Sequence, residues 1–367
     1  QSLLTPEQRD KYVEDIELDY ARIREQHANK KQVPLWPLAK ARANKTPIAW
    51  TGYTPPRPKA PGRRLFKNQD LAELAAYIDW GPFFQTWDLA GPYPAILNDE
   101  IVGESARRVF SDGKSMLARL IQGRWLQANG VICLLPANTV NDDDIEIYTD
   151  ESRSEVALTW RNLRQQSVRP VVDGVMRPNR SLADFIAPKD SGVADYIGMF
   201  AVTAGLGVDV KEKQFEKDHD DYSAIMLKAL ADRFAEAFAE RLHQHVRTTL
   251  WGYAPDEQFT NEALIREEYR GIRPAPGYPA CPEHTEKDTL FDLLDVTASI
   301  GVELTESRAM WPGASVSGWY FAHPQAQYFV VGRVNKDQVA DYAQRKGWTL
   351  AEAEKWLSPN LGYEPED

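Results

Sequence analysis

A short loop near residue 275 carries the most suggestive chemistry in the sequence. Arg273 is followed by Pro274-Ala275-Pro276-Gly277-Tyr278, with further prolines just beyond. Proline fixes φ and removes a backbone donor, so we expect an irregular, restricted backbone here. A guanidinium on a stiff loop offers fixed donors for a carboxylate at little entropic cost. The residues alone equally allow a structural turn whose arginine closes a surface salt bridge.

Three acidic residues recur at four-residue steps within the longest predicted helix, which runs from about Asp221 to Trp251. Asp232, Glu236 and Glu240 therefore stack along one face of that helix. Their like charges repel one another, and neighbouring lysine and arginine residues can offset them. Spacing alone favours a solvated face.

Two further patterns argue against metal and dinucleotide chemistry. Cys281 and His284 form a Cys-x-x-His pair, but structural zinc needs four ligands and no second pair has matching spacing. Gly205 and Gly207 follow a predicted buried strand, Asp195 to Thr203, yet the pattern stops short of G-x-G-x-x-G and a polar run follows. We therefore predict neither a metal site nor a dinucleotide fold.

Other constellations are equally uninformative about catalysis. A calcium loop would alternate its ligands with spacers, so the successive carboxylates Asp142 to Asp144 indicate a solvated turn. Neither a nucleophile elbow with a Ser-His-Asp order nor an H-E-x-x-H motif is present. The sequence thus predicts no catalytic residue and no hydrolase.

Composition limits the classes of partner. The chain has 367 residues and a formal net charge of -11, which would repel a polyphosphate backbone, so nucleic acid is not expected as a partner. Two cysteines are too few for a disulfide scaffold and fit a reducing, cytoplasmic location. No apolar stretch reaches the roughly 20 residues of a membrane helix, so no membrane contact is predicted. The start lacks signal-peptide features and an initiator methionine, which is consistent with a piece of a longer protein.

The elements that must position these residues alternate irregularly between helix and strand. Helices are predicted at 68–77, ended by Gly81-Pro82, at 104–121, at 260–269 and after the capping residues Asn335 and Thr349. Strands are predicted at 130–136, 144–148, 195–203, 315–321 and 327–331, the last two as a hairpin or neighbours. Such a pattern favours α+β over a doubly wound sheet.

The first 64 residues have a different character. Thr5 and Pro6 open a helix whose apolar stripe, from Val13 to His27, must pack against the main body or a missing module. The proline-rich, basic stretch from Lys30 to Arg64 lacks the pattern of a regular ladder. We interpret it as a linker that docks on a surface through its aromatic residues.

Long ordered motifs resemble the C-terminal activation domain of cobalamin-dependent methionine synthase. The R-x-x-x-G-Y signature of that family is matched by Arg273 to Tyr278. Further similar segments, spread from about residue 65 to the end, are Tyr77–Phe84, Asp184–Pro188, Asp195–Gly198, Met310–Phe321 and Ser358–Tyr363. The resemblance implies a single C-shaped α+β domain, residues 65–367, with a curved, largely antiparallel sheet and packed helices. Residues 1–64 would be the helical linker and connector from the cobalamin-binding module.

The resemblance also implies a function and a set of residues. Family members bind S-adenosylmethionine and give its methyl group to oxidised cobalamin during reductive reactivation, with an electron from flavodoxin or a related reductase. The cobalamin belongs to a module that this chain lacks. Implied ligand contacts are Arg273 for the carboxylate, Asp79 for polar groups, Ala275 and Tyr278 in the pocket wall, Tyr328 and Phe329 as an aromatic pair, and Glu236 and Glu267 near the sulfonium. Asp232 is implied to contact the cobalamin module.

Some features depart from the family pattern and keep alternatives open. The segment 167–180 is longer or more divergent than expected, as a loop insertion would be. The D-x-H-x-x-G cobalamin-ligand motif and the homocysteine and folate modules are absent, so this piece cannot run the full synthase reaction. A regulatory module that docks a flavodoxin-type reductase and uses the nucleoside as a conformational signal is the alternative. An independent Rossmann methyltransferase would need the glycine-rich loop that the sequence lacks.

Overall fold

An open, antiparallel six-stranded sheet lies at the centre of the computed structural model, which describes residues 6–28 and 34–366. Its strands are β1 (Gly62–Phe66), β2 (Gln127–Val140), β3 (Asp144–Tyr148), β4 (Val156–Arg161), β7 (Asp195–Leu206) and β10 (Ser315–Tyr320). The order is β10-β7-β2-β3-β4, and β1 also pairs with β2. Two short hairpins lie outside it, β5 (Val171–Val172) with β6 (Val175–Met176), and β8 (Glu303–Leu304) with β9 (Met310–Trp311).

Both faces of the sheet are buried, which explains the nearly continuous apolar sequence of its central strands. Along β2, Ile132 and Leu134 belong to one core cluster, whereas Val131 and Cys133 belong to another. Successive side chains of a strand point to opposite faces, so a strand covered on both sides must be apolar at every position.

Helices cover the two faces and the carboxyl-terminal end. Their bounds are α1 (Pro6–Ala28), α2 (Leu38–Ala43), α3 (Leu71–Ala75), α4 (Gly81–Gln85), α5 (Gly103–Gln122), α6 (Val208–Lys217), α7 (Asp221–His245), α8 (Asn261–Ile265), α9 (Glu286–Leu294), α10 (Val296–Ile300), α11 (Lys336–Lys346) and α12 (Leu350–Leu357). α7 packs on one face through an apolar stripe that includes Phe234 and Phe238, and α9 and α10 cover the other. A turn of π-helix, Val246–Leu250, extends α7 to nearly the predicted end. The α+β prediction is confirmed.

Two local predictions are wrong. Gly81-Pro82 does not end a helix but begins α4, because proline is well tolerated in a first helical turn. Gln327 to Val331 is not a strand beside β10. The edge of β10 is taken instead by the segment before the loop, where Ile272 bridges Phe321 and the N–H of Trp319 donates to the carbonyl of Pro274 at 2.9 Å.

The stretch from residue 34 to Arg64 docks on the body, as predicted. The N–H of Trp36 donates to the carbonyl of Gln166, and that of Ala60 donates to the carbonyl of Leu250, both at 2.7 Å. The expectation that this stretch lacks a regular ladder is wrong at its end, because residues 62–64 belong to β1 and pair with β2; the stretch also contains the helix α2. β1 crosses position 64, where the connector was predicted to end.

The acidic turn before β3 is the clearest failure of a surface prediction. Asp143 is fully buried and Asp144 nearly so. Asp143 pairs with Arg164 at 2.8 Å and with Arg42 at 2.7 Å, and Asp144 pairs with Arg345 at 2.5 Å. Charged residues are buried only when they are paired, and the arginine partners come from distant parts of the chain that local sequence cannot connect.

The remaining peripheral segments have simpler outcomes. α1 forms where predicted, but its described side chains, including Val13 and Tyr20, are mostly exposed; Thr5 and the side chains of Ile23 and His27 lie outside the described residues. The divergent segment 167–180 contains the exposed hairpin β5–β6. None of the described helices combines the length and apolar character needed to span a bilayer.

Candidate functional site

An open cavity of about 550 Å³ lies where the proline-rich loop, α7 and the segment after β10 meet. Its size is within the range of small-molecule sites, roughly 300–1,000 Å³. The lining residues are Glu236, Glu267, Arg273, Pro274, Ala275, Tyr278, Pro279, Ala280, Val316, Tyr328, Phe329 and Val330. Seven of the eight ligand-contact residues predicted from the sequence are among them.

The loop holds its place because it adds to the edge of β10. Pro274 accepts from the backbone of Trp319, and an added Cβ on Gly318 would lie 2.5 Å from the Pro274 carbonyl oxygen. Only glycine therefore permits this close approach. A second glycine, Gly277, has φ +93°, and its N–H donates to the carbonyl of Cys281 at 2.7 Å, which closes the turn that presents Tyr278.

Arg273 is held through one end of its guanidinium. Nη1 lies 2.7 Å from a carboxylate oxygen of Glu240, donates to the hydroxyl of Tyr269 at 2.5 Å and lies 3.4 Å from Nδ1 of His243. Within 6–28 and 34–366, neither Nε nor Nη2 donates to a protein group. A guanidinium binds a carboxylate through two parallel donors, so the Nε–Nη2 edge is free for an anionic group in the cavity.

His243 contributes a neutral contact to this arrangement. Burial lowers its pKa well below the usual value, and the charges of Arg247 and Arg273 act in the same direction. Its ring stacks on Tyr320, with centroids 5.0 Å apart and an interplanar angle of 13°. Because the imidazole stays neutral, it adds no positive charge beside Arg273.

Two carboxylates face the cavity without a partner in the described part of the chain. Burial raises the pKa of Glu236, and Arg273 and Arg233 oppose that shift. Burial also raises the pKa of Glu267, again opposed by Arg273. Glu267 is more exposed than Glu236. A cationic ligand group near both would favour their ionised forms, so the site combines one anion-binding edge with a cation-attracting wall.

Aromatic and small side chains form the rest of the wall. The backbone N–H of Arg273 donates to the hydroxyl of Tyr328 at 3.0 Å. Tyr278 and Tyr328 expose 59% and 40% of their surface, which leaves ring faces available to a flat or cationic group. Ala275 and Phe329 complete the predicted set at this cavity.

Asp79 and Asp232 lie elsewhere. Asp79 does not line the cavity, and its Oδ1 accepts from the N–H of Gly81 at 2.9 Å at the start of α4. Asp232 lies one turn before Glu236 on α7, is 54% exposed, pairs with Arg233 and lines a neighbouring cavity of about 320 Å³. Of the three stacked acids, only Asp232 fits the solvated face that spacing favoured.

Sequence reasoning missed Glu240, Tyr269 and His243. Glu240 was noted in the acidic column but assigned to a solvated face, whereas it is 6% exposed. Its spacing from Glu236 was the only signal, because the arginine that it contacts lies in a loop more than thirty residues away. As for the Cys-x-x-His pair, Cys281 is buried, and in the described ranges no three His, Cys, Asp or Glu residues cluster as metal ligands would.

Comparison with known proteins identifies the family. Residues 70–347 match the family model described as vitamin B12 dependent methionine synthase, activation domain. A crystal structure of the MetH reactivation domain bound to AdoHcy is 55% identical, with a TM-score of 0.86, and the match covers 90% of this chain and 100% of that one. The chain therefore belongs to the family of activation domains of cobalamin-dependent methionine synthase.

Proposed function

We propose that the cavity binds S-adenosylmethionine and that the domain supplies the methyl group of this ligand for reductive reactivation of cobalamin. The similar reactivation domain is described as bound to AdoHcy, which differs from S-adenosylmethionine by the sulfonium methyl group. The single observation that carries the proposal is that Arg273, whose Nε and Nη2 lack a protein partner in the described ranges, lines the same cavity as the unpartnered carboxylates Glu236 and Glu267.

The residue types fit both ends of this ligand. The free guanidinium edge suits the amino-acid carboxylate, and the two glutamates suit the sulfonium. Tyr328, Phe329 and Tyr278 offer faces to the adenine and the cation, and Ala275 leaves room beside them. For Asp79 we propose a contact with polar groups of the ligand. Because Asp79 does not line the cavity, the ligand must extend beyond the cavity to meet it.

The methyl of a sulfonium is already activated, so the protein needs no general base in this step. Its residues need only bind and orient the ligand and provide an electrostatic field that tolerates the positive sulfonium. Carboxylates that stabilise the sulfonium in the ground state favour binding over acceleration. This balance suits a module that loads a methyl donor and waits for a second module.

The wider assembly follows from the same proposal. Residues 1–64 would connect the domain to the cobalamin-binding module of the same polypeptide, and Asp232, exposed beside the cavity, would contact that module. The electron would come from a flavodoxin or a related reductase in the cytoplasm. The alternative function, a reductase-docking module for which the nucleoside is only a conformational signal, uses the same cavity without methyl transfer.

Two measurements test the proposal. Calorimetry should show one S-adenosylmethionine site per chain, and Arg273→Ala should weaken binding on the order of tenfold to a hundredfold, because a hydrogen-bonded charge is lost. The domain joined to its cobalamin-binding module should then transfer a labelled methyl from S-adenosylmethionine to cobalamin under reducing conditions. Binding without transfer would favour the signalling alternative, and absence of binding would refute both.

A further inference from the structure

A chain of buried charges stands behind Arg273. Arg247, in the π-helical turn after α7, forms two hydrogen bonds with Glu257, at 2.8 and 2.7 Å. Its guanidinium lies 3.7 Å from the ring centroid of Tyr269, and its Nη2 lies 3.7 Å from Oε1 of Glu240. Glu257 thus fixes Arg247, and Arg247 packs against Glu240 and Tyr269, two of the groups that contact Arg273.

Glu240 and Tyr269 meet Arg273 at a single atom. Both contact Nη1, and the Tyr269 hydroxyl also lies 3.4 Å from the Glu240 carboxylate. Neither residue lines the ligand cavity, whereas Arg273 does. The contacts therefore hold the Nη1 end of the guanidinium, while Nε and Nη2 have no protein partner among the described residues.

We propose that Glu240, supported by Tyr269, is a positioning residue that sets the orientation in which Arg273 recognises a ligand carboxylate. The inference rests on the proposed binding of S-adenosylmethionine and adds that selectivity for the amino-acid end depends on a buried carboxylate which does not touch the ligand. An arginine side chain has several rotatable bonds, and fixing one end in advance lowers the entropic cost of forming two further hydrogen bonds.

Competition is the opposite possibility, since Glu240 is itself a carboxylate on the same guanidinium. The geometry argues against it. Glu240 contacts Nη1 through one oxygen and is 6% exposed, and its second oxygen is buried 3.7 Å from Nη2 of Arg247. To compete with the ligand carboxylate, Glu240 would need to contact Nε and Nη2 of Arg273, and it contacts Nη1 instead.

The test compares two ligands on matched variants. Glu240→Gln removes the charge with little change of shape, and Tyr269→Phe removes the hydroxyl but keeps the ring under Arg247. Glu216→Gln, at an exposed glutamate of α6, makes the same change in net charge away from the site. Affinities are measured by calorimetry for S-adenosylhomocysteine and for 5′-methylthioadenosine, which lacks the amino-acid end. Both ligands have an uncharged sulfur, so the comparison isolates the amino-acid end, and thermal unfolding is the check on folding.

Positioning predicts that Glu240→Gln weakens S-adenosylhomocysteine binding on the order of tenfold or more, with Tyr269→Phe in the same direction and Glu216→Gln without effect. Affinity for 5′-methylthioadenosine should be the same in the variants as in the wild type. Unchanged or tighter S-adenosylhomocysteine binding in Glu240→Gln would overturn the inference, as would equal weakening of both ligands. If the wild type binds no S-adenosylmethionine, the proposed function itself fails.

Discussion

The backbone N–H of Arg273 donates to the hydroxyl of Tyr328 at 3.0 Å, which joins two irregular segments separated by 55 residues. This bond holds the loop of the R-x-x-x-G-Y signature against the aromatic wall of the cavity. Residues 327–331 therefore follow an irregular course, because they contact the loop and do not pair with β10. Val331, for example, donates its N–H to the carbonyl of Pro279 at 2.8 Å.

Tyr328→Phe tests the function of this bond. The variant keeps the ring but leaves the Arg273 N–H without its acceptor, so the loop should be less well ordered before it binds. We expect S-adenosylmethionine affinity to fall about three- to tenfold, as loss of one hydrogen bond of about 1 kcal/mol would produce. Calorimetry measures it, and an affinity equal to that of the wild type would show that the loop needs no such support.

Ligand charge should control the pH dependence of binding. Burial raises the pKa of Glu236 and of Glu267 above the ordinary value, so each carboxyl group keeps its proton to a higher pH than a free glutamate does. The sulfonium favours the ionised forms, and S-adenosylmethionine binding should therefore release protons and weaken as pH falls from 8 towards 5. Binding of S-adenosylhomocysteine, which has no charged sulfur, should vary less.

Glu236→Gln separates this effect from a general loss of structure. The variant should lose about five- to tenfold in S-adenosylmethionine affinity at pH 8, show a shallower pH profile and bind S-adenosylhomocysteine almost unchanged. Equal losses for both ligands would mean that Glu236 supports the pocket wall instead of the cation.

Gly318→Ala tests how the loop is positioned. The new Cβ would lie 2.5 Å from the carbonyl oxygen of Pro274, a backbone atom, so the loop must shift. We expect the free energy of unfolding to drop by about 1–3 kcal/mol and ligand binding to weaken. Gly313→Ala is the matched control, because a Cβ there meets nothing within 4 Å. Similar behaviour of the two variants, in unfolding and in calorimetry, would contradict this account.

Asp195 should give the fold its own pH dependence. Burial raises its pKa from 3.8 to about 7, although the carboxylate accepts N–H groups of Ala187 and Tyr196, both at 2.8 Å. The folded state thus holds this proton more tightly than the unfolded chain does, and the stabilisation present below pH 4 is lost as pH rises through 7.

Relative to Asp195→Asn, the wild type should therefore lose up to roughly 4 kcal/mol of unfolding free energy between pH 4 and 7. Urea unfolding of both proteins across that range measures the difference. Parallel profiles would place the ordinary carboxyl pKa at this buried position.

The sequence predicted elements and lining residues better than it predicted long-range pairs. The helix α7 and the strand β3 depend on local periodicity in the sequence, and both were predicted close to their observed bounds. Asp143 and Glu240 were assigned to solvent because their partners, Arg164 and Arg273, lie far away along the chain. Sequence alone predicts that a charged residue is exposed, because the oppositely charged partner that permits its burial is known only from the fold. The family motif placed Arg273 at the cavity, but only the fold shows which edge of its guanidinium is free.

The most direct test of the central claim is a crystal structure of this domain with S-adenosylmethionine bound. We expect the ligand carboxylate to lie within hydrogen-bonding distance of Nε and Nη2 of Arg273. The sulfonium should lie beside Glu236 and Glu267, and the contact between Nη1 and Glu240 should be retained. A nucleoside bound outside this cavity, or a ligand carboxylate that replaces Glu240 at Nη1, would contradict it.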